Sequence, residues 1–245
     1  MAYTPKDYKA YMEVRSNLLR QIKLSPEMAV PLGNALLFLD YQNDQLMRNE
    51  LTGMPNSRQR AVDLETVLAP DERRKSRNTR LYVAMLDIDN FGKFNKTHGE
   101  HIGNKVLQIT SGILMDAVRE YDTLDERFDH KADEKPVARA YHLHGEEKQI
   151  VFDAPDDATA FKIADRYRQM IQEKSQELGS PEPITETIGV TVWDYDKEKF
   201  EKAQQRADAN MQEAKRLGKN RVLLKNLDST QLTIPDADLA KKHVA

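Results

Sequence analysis

Two short strand-like segments, Val137–Leu143 and Lys148–Phe152, are separated by little more than a turn. Both are rich in apolar residues, and Gly145 between them suits a tight reversal of the chain. Strands joined this closely pair antiparallel, because parallel neighbours need a crossover of roughly a dozen residues or more. The hairpin therefore restricts the chain to folds that contain an antiparallel or mixed sheet.

Apart from this hairpin, strand and helix patterns alternate between Leu81 and Leu224. Strands are predicted at Leu81–Ile88, Thr185–Trp193 and Arg221–Leu224, and helices at His101–Arg119, Ala158–Leu178 and Phe200–Leu217. A short helix or turn is predicted at Asp89–Thr97, and the polar stretch Tyr121–Pro136 is predicted to be an exposed loop. Alternating elements with one hairpin predict an α/β (α+β) fold in which helices flank a mixed central sheet.

Residues 1–50 differ from the rest because they show helical patterns and no strand pattern. One helix is predicted at Tyr8–Ile22 and a second at Met28–Asn49, with an interruption near Pro31 and Gly33. We predict that this N-terminal helical segment serves dimerisation or regulation.

A turn rich in helix breakers, Leu51–Asn56, separates this segment from the rest of the chain. A polar helix is predicted at Ser57–Arg77, with Asn56 or Ser57 as its N-cap. We therefore predict one domain over residues 51–226 and a peripheral tail over residues 227–245.

Composition excludes several classes of function. The formal charge is −3 and there are no cysteines, which argues against a generic nucleic-acid binder, a disulfide scaffold and a thiolate metal site. Residues 1–23 are polar and do not resemble a signal peptide, and the longest apolar run, near Ala35–Leu39, is too short to cross a bilayer. We expect a cytoplasmic protein that binds neither nucleic acid nor membrane.

Acidic residues lie at the ends of two predicted strands. Asp87 and Asp89 end the strand Leu81–Ile88 or follow it directly, and Glu146 and Glu147 follow the hairpin turn. Carboxylates from neighbouring strands can hold a divalent metal, which commonly serves phosphate chemistry. The alternative is that these acids are simply solvated at strand ends.

Five segments of the chain carry a resemblance to a known family. They are Leu51-Thr-Gly-Met-Pro-Asn56; Leu86-Asp-Ile-Asp-Asn-Phe91 with Asn95, Gly99 and Gly103; His144-Gly-Glu-Glu-Lys148; Thr187-Ile-Gly-Val190; and Ala207–Val222. In this order, over Leu51–Leu224, they resemble a GGDEF domain, the nucleotidyl cyclase family that includes diguanylate cyclases. The resemblance implies a palm-like, cyclase-like mixed sheet flanked by helices.

The resemblance also implies a metal site and a catalytic role for its acids. Asp87 and Glu146 match the metal-binding acids, and Ile88 would offer its backbone carbonyl to the metal. Glu147 matches the second signature acid, which is implicated in metal binding or in activating the 3′-hydroxyl. The implied cofactor is Mg²⁺ or Mn²⁺, since such ions prefer hard oxygen ligands and substrate phosphates.

Further matches imply the contacts of a nucleoside triphosphate. Lys215 and Lys219 match phosphate-gripping positions, although a basic helix end that complements the helix dipole is the ordinary alternative. The turn at Phe91 would offer N–H groups to phosphate. The base-reading positions are filled by Asn95 and Asn104. The second normally carries an aspartate, so we expect relaxed guanine selectivity, with GTP as substrate and ATP as a second candidate.

The signature turn departs from the family pattern. His144 stands in place of its first glycine, whereas Gly145 retains the second, and we expect both to contact the nucleotide. Lys148 replaces a phenylalanine that packs inward, and a buried lysine is costly unless it is paired. Gly92 replaces a frequent lysine. The alternation of His142, His144 and Glu146 leaves open a transition-metal site.

The resemblance predicts a nucleotidyltransferase of the diguanylate cyclase type. It would act as a homodimer, because two triphosphates must face each other to form a cyclic dinucleotide. The alternative is a catalytically degenerate GGDEF relative that binds nucleotide or a protein partner for regulation, and a third is a purely structural module.

Overall fold

The computed structural model of the protein describes residues 13, 16, 26–68, 79–123, 137–226 and 231–233. The chain divides into two compact units, residues 1–69 and residues 70–245. The domain boundaries predicted at residues 50 and 226 remain predictions.

The first unit contains helix α1 (Pro26–Leu46) and helix α2 (Ser57–Glu65). The predicted interruption of α1 near Pro31 and Gly33 is wrong, because the helix runs through both residues. Pro31 is the sixth residue of α1 and has no backbone N–H to donate to residue 27, but the loss of this one bond leaves the other turns of the 21-residue helix in place. Most of the predicted helix at Tyr8–Ile22 lies outside the described residues.

Of the two predicted N-cap candidates, Asn56 is the N-cap of α2, and Ser57 is its first helical residue. Its side-chain oxygen accepts hydrogen bonds from Arg58 N and Gln59 N at 2.9 and 3.3 Å. The helix ends at Glu65, well before the predicted end at Arg77. The chain leaves the helix because Thr66 takes a non-helical conformation; residues 69–78 lie outside the described part.

The second unit is built on a sheet whose described strands number six. They are β1 (Arg80–Ile88), β2 (Ala138–His144), β3 (Glu147–Ala154), β4 (Glu186–Trp193), β5 (Val222–Lys225) and β6 (Gln231–Thr233). Their order is β2-β3-β1-β4-β5-β6, and only the β4–β5 pair is parallel. The predicted mixed sheet is thus confirmed. The edge strand β6 lies within residues 227–245, for which only a peripheral tail was predicted.

Four described helices accompany this sheet: α3 (Phe91–His98), α4 (Glu100–Thr123), α5 (Asp157–Glu177) and α6 (Phe200–Arg216). The loop predicted from Tyr121 begins instead as the last turn of α4, and residues 124–136 lie outside the described part. None of the helices in the described ranges is long and apolar enough to cross a membrane.

Helix α6 packs so closely on β4 that Gly189 is required there. A Cβ at this position would lie 2.1 Å from Met211 N and 2.2 Å from Ala207 O. Residues directly opposite in an antiparallel pair share a face of the sheet. Asp87, which is opposite both Glu147 and Thr187, therefore lies on the α6 face, since Met85 is opposite Gly189.

Candidate active site

Asp87, the penultimate residue of β1, is the centre of the acidic group. It is opposite Glu147 in the β1–β3 register, and Glu146 occupies the turn that leads into β3. Burial raises the pKa of Asp87; Lys215 opposes that shift, whereas the charges of Glu146 and Asp89 add to it. The acids predicted from two separate segments therefore stand within electrostatic reach of each other.

Lys215 faces this group from the last turn of α6. Its Nζ lies 2.7 Å from Asp87 Oδ1, and both side chains are mostly buried. The sequence predicted these two residues for different tasks, phosphate and metal binding, and the fold brings them into one ion pair. The flexible lysine stem allows its ammonium to leave the carboxylate when another cation arrives.

The second acid of the turn, Glu147, is partly buried, and burial raises its pKa. His144 Nε2 lies 3.5 Å from Glu147 Oε2, but its side chain is 76% exposed. Only Gly145 has a positive φ in this turn, at 54°, so His144 occupies a backbone conformation open to any residue. The turn therefore keeps the one glycine that its geometry requires.

His142 points to the inside of the hairpin. Its Nε2 donates a hydrogen bond of 2.8 Å to the Gly145 carbonyl, and burial lowers the pKa of its imidazole. Within the described ranges, no three His, Asp or Glu side chains come together as a metal-binding group. The alternative site of His142, His144 and Glu146 is therefore wrong, since one histidine is buried and the other exposed.

Lys148 is paired on the opposite face of the sheet with a residue that the sequence did not single out. Its Nζ donates a hydrogen bond of 2.6 Å to Glu186 Oε1, and neither side chain is exposed. Burial raises the pKa of Glu186, and the charge of Lys148 opposes the shift. A carboxylate at the start of an otherwise buried strand was the only sequence signal for this partner.

Asn95 of α3 and Asn104 of α4 lie on neighbouring helices. Asn95 Oδ1 is buried and has no hydrogen-bond partner among the described residues, whereas Asn104 is exposed. A Cβ on Gly103 would lie 1.8 Å from Asn95 Oδ1, so the glycine makes the space that the amide occupies. A buried, unsatisfied amide oxygen fits a site that a ligand donor completes.

Lys219 reaches the start of α3, where Phe91 is the first helical residue. Its Nζ lies 2.5 Å from Oδ1 of Asn90, the residue that precedes the helix. The first N–H groups of a helix have no partner within it and attract anions. The predicted phosphate contacts Phe91 and Lys219 thus meet at one helix end.

A cavity of about 420 Å³ opens beside this helix end. It is lined by residues 88–90, by Lys93, Phe94 and Thr97 of α3, and by residues 182–185. Of the predicted site residues only Ile88 lines it, so the cavity adjoins the acidic group without containing it.

The oxygen donors present fit a small divalent cation. Asp87 and Glu146 supply carboxylates within electrostatic reach of each other, and Ile88 directly follows Asp87 with its backbone carbonyl. Mg²⁺ typically takes one or two carboxylates and completes its shell with water and phosphate. This donor set fits an ion shared with a phosphate ligand, not one enclosed by protein alone.

Comparison with known sequences gives a match to the family model described as diguanylate cyclase, GGDEF domain, over residues 47–131 and 132–221. The chain is 30% identical to Diguanylate cyclase A of Treponema denticola over 145 residues, which cover 59% of this chain and 35% of that protein. It is also 30% identical to Diguanylate cyclase DgcP of Pseudomonas aeruginosa over 185 residues, covering 75% and 25% respectively. The chain thus spans about a third or a quarter of these relatives.

Solved structures share the fold. The coiled coil and GGDEF domain of DgcB from Caulobacter crescentus, in complex with c-di-GMP, has a TM-score of 0.61 at 21% identity, covering 81% of this chain and 95% of that one. Diguanylate cyclase SiaD from Pseudomonas aeruginosa, in complex with its activator SiaC, has a TM-score of 0.57 at 24% identity, covering 89% and 77%.

Proposed function

Because the chain belongs to the diguanylate cyclase GGDEF domain family, we propose that it is a nucleotidyltransferase that condenses two nucleoside triphosphates into a cyclic dinucleotide. The observation that carries this proposal is the meeting of Asp87, Glu146, Glu147 and Lys215 at one end of the β1–β3 pair. Three acids and one cation at a strand end match what phosphoryl transfer needs: a metal site, a proton acceptor and a phosphate clamp.

Asp87, Glu146 and the Ile88 carbonyl are the proposed ligands of Mg²⁺ or Mn²⁺. When bound, the ion supplies positive charge for the triphosphate and for the attacking oxygen. Lys215 then leaves Asp87 and pairs with phosphate oxygens, which the length of its side chain allows.

Glu147 is the proposed proton acceptor. Burial raises its pKa, and a carboxylate with a raised pKa takes a proton more readily near neutral pH. In the proposed step, the 3′-oxygen of one nucleotide bonds to the α-phosphorus of the other. Its proton goes to the Glu147 carboxylate and pyrophosphate leaves. A second such step closes the ring.

The remaining predicted residues bind and orient the substrate. Lys219 and the N–H groups at Phe91 are proposed to hold the phosphates, and Asn95 and Asn104 the base. GTP is the proposed substrate, with ATP as the second candidate because Asn104 offers a donor as well as an acceptor.

Each domain presents one triphosphate in this scheme, so the active species is proposed to be a homodimer. His144 and Gly145 form the turn that would face the partner's nucleotide. The exposure of His144 supports this placement, since its ring is not engaged in the core. We further propose that the protein works in the cytoplasm.

The test is incubation of the full chain with Mg²⁺ or Mn²⁺ and each nucleoside triphosphate, followed by separation of the products. We expect a cyclic dinucleotide and pyrophosphate, and no product from the Glu146→Ala variant. Undiminished turnover in that variant would refute the metal assignment.

A regulatory, non-catalytic role is the second candidate, favoured by the replacement of the first signature glycine by His144. Nucleotide binding by the wild type, with no product from any pair of triphosphates, would select it over the enzyme.

A further inference from the structure

Asp89 follows β1 directly and lies two residues after Asp87, where a further metal ligand could be expected. Both of its carboxylate oxygens are already engaged, however. Oδ1 accepts a hydrogen bond from Thr187 Oγ1 at 2.6 Å. Oδ2 accepts hydrogen bonds from Thr185 Oγ1 at 2.9 Å and from the backbone N–H of Asn220 at 2.8 Å.

The bond to Asn220 reaches an unusual turn after α6. Three successive residues, Gly218, Lys219 and Asn220, have positive φ angles of 124°, 62° and 42°. For residues other than glycine this conformation costs on the order of 1–2 kcal/mol each. Two such residues in a row persist only where the surrounding structure holds them, and backbone strain of this kind clusters at ligand-binding sites.

The turn is held from two sides. Asn220 Oδ1 accepts a hydrogen bond of 2.7 Å from Arg168 Nη1, and its Nδ2 donates one of 3.1 Å to Gln172 Oε1. Both partners belong to α5, whereas Asp89 binds the backbone of the same residue from the end of β1. The left-handed backbone is therefore fixed by its side chain and by its N–H together.

This backbone directs the Lys219 side chain to the start of α3, where its Nζ contacts Asn90 Oδ1 at 2.5 Å. In an ordinary conformation at residues 219–220 the side chain would leave in another direction. The geometry points to Asp89 as a positioning residue and not a metal ligand: it holds the Lys219–Asn220 turn so that the Lys219 ammonium faces phosphate groups bound at the start of α3. The phosphate part of this inference rests on the proposed function.

Four full-length proteins test it: wild type, Asp89→Asn, Lys219→Gln and the double variant. The probes are Mn²⁺ alone, followed by electron paramagnetic resonance, and a fluorescent non-hydrolysable GTP analogue with Mn²⁺. We expect Asp89→Asn to weaken analogue binding by about 5- to 20-fold, and the double variant to bind no more weakly than Lys219→Gln, because coupled residues are not additive. The affinity for Mn²⁺ alone should fall far less than it does in Asp87→Asn, since Asp89→Asn removes a nearby charge but no metal ligand.

Asp153→Asn is the matched control. Asp153 is a buried aspartate of β3 that, like Asp89, accepts a backbone N–H, from Val137 at 2.9 Å, and a threonine hydroxyl, from Thr79 at 3.4 Å. It is opposite Leu81 at the far end of β1, so its loss should lower stability without weakening analogue binding. Asn220→Ala keeps every acid and removes the bonds to α5; it should weaken analogue binding as Asp89→Asn does, and it serves if Asp89→Asn fails to fold.

Loss of Mn²⁺ affinity in Asp89→Asn to the extent seen in Asp87→Asn would overturn the inference, because Asp89 would then be a ligand. Additive effects in the double variant would also overturn it. A wild type that binds the analogue but forms no product contradicts the proposed function alone, whereas one that binds no nucleotide overturns both.

Discussion

Lys148 Nζ donates a hydrogen bond of 2.6 Å to Glu186 Oε1, and both side chains are completely buried. The pair joins β3 to β4 across β1, because Lys148 is opposite Leu86 and Glu186 is opposite Ile88. It lies on the face of the sheet away from the candidate active site. Lys148, which departs from the signature, is thus a paired core residue and does not contact the acids of the candidate site.

We expect Lys148→Met to lower the free energy of unfolding by about 3–5 kcal/mol, because Glu186 would be left as an unpaired buried charge. Combining it with Glu186→Leu should recover most of this loss, since an apolar pair of similar volume needs no desolvation of charge. Urea unfolding measures both. Lys197→Met, which removes an exposed lysine paired with Asp194, should cost less than about 1 kcal/mol. A double variant no more stable than Lys148→Met would contradict the pairing.

Gly103→Ala should separate stability from nucleotide binding. The new Cβ would lie 1.8 Å from Asn95 Oδ1 and must displace that amide, so binding of a GTP analogue should weaken at least about tenfold, the scale of one misplaced base contact. Alanine favours a helix over glycine by about 1 kcal/mol, and this gain opposes the cost of displacing the Asn95 amide, so thermal stability should change little. Gly112→Ala on the same helix has open space around its Cβ and should stabilise without altering binding. Equal analogue affinities for Gly103→Ala and Gly112→Ala would refute the assignment of Asn95 to the nucleotide site.

Asn104→Asp should sharpen base selection. An aspartate only accepts hydrogen bonds and so matches the donor edge of guanine, whereas an asparagine can also serve adenine. We expect the ratio of kcat/KM for GTP to that for ATP to rise by at least about tenfold. Asn104 is exposed, so the free energy of unfolding should be unaffected. Strict use of GTP by the wild type would already exclude relaxed selectivity.

Because the pKa of Asp87 is raised, we predict that the stability of the Asp87→Asn variant relative to wild type depends on pH. Because of its burial, Asp87 keeps its proton in the folded protein at pH values where the unfolded chain, with a pKa near 3.8, has released it. The contribution of this proton to the free energy of unfolding is therefore complete below pH 3.8 and is lost as the pH rises through the folded-state pKa. Asparagine is neutral at every pH. The melting temperature of Asp87→Asn relative to wild type should therefore increase from about pH 4 to about pH 7.5 in the absence of metal.

Mn²⁺ should reverse this order at neutral pH by stabilising the wild type alone. Asp116→Asn, an exposed aspartate of α4, is the control and should show no such trend. A constant difference between Asp87→Asn and wild type across this range would mean that Asp87 is not held in a desolvated environment.

Local patterns were enough to predict most elements of the second unit. The hairpin, the strand ending at Ile88 and the helix beginning at Phe200 appear at or within a residue or two of their predicted positions, because apolar periodicity and turn residues are local properties. The last strand, β6, was missed, since its three residues carry too little pattern to distinguish them from a tail. The continuous helix α1 was missed for the opposite reason: Pro31 and Gly33 signal a break that the helix overrides.

The candidate site divides in the same way. The order of the motifs along the chain was enough to predict four site residues: Asp87, Glu146, Glu147 and Lys215. It could not predict the ion pair between Asp87 and Lys215, because this pair joins a strand to a helix far along the chain. Asp89 could be seen in the sequence, but not that its oxygens are already engaged by two threonines and a backbone N–H.

By itself, the sequence determined which residue types stand at which positions and hence the elements, the mixed sheet and the set of acids and cations near the hairpin. The tertiary structure alone decided the partners. It buried Lys148 against Glu186, aimed Lys219 through a left-handed turn, and placed Asn95 over Gly103. The physical reason is that pairing and burial depend on side chains brought together across the sheet, and desolvation acts only on groups that the fold has enclosed.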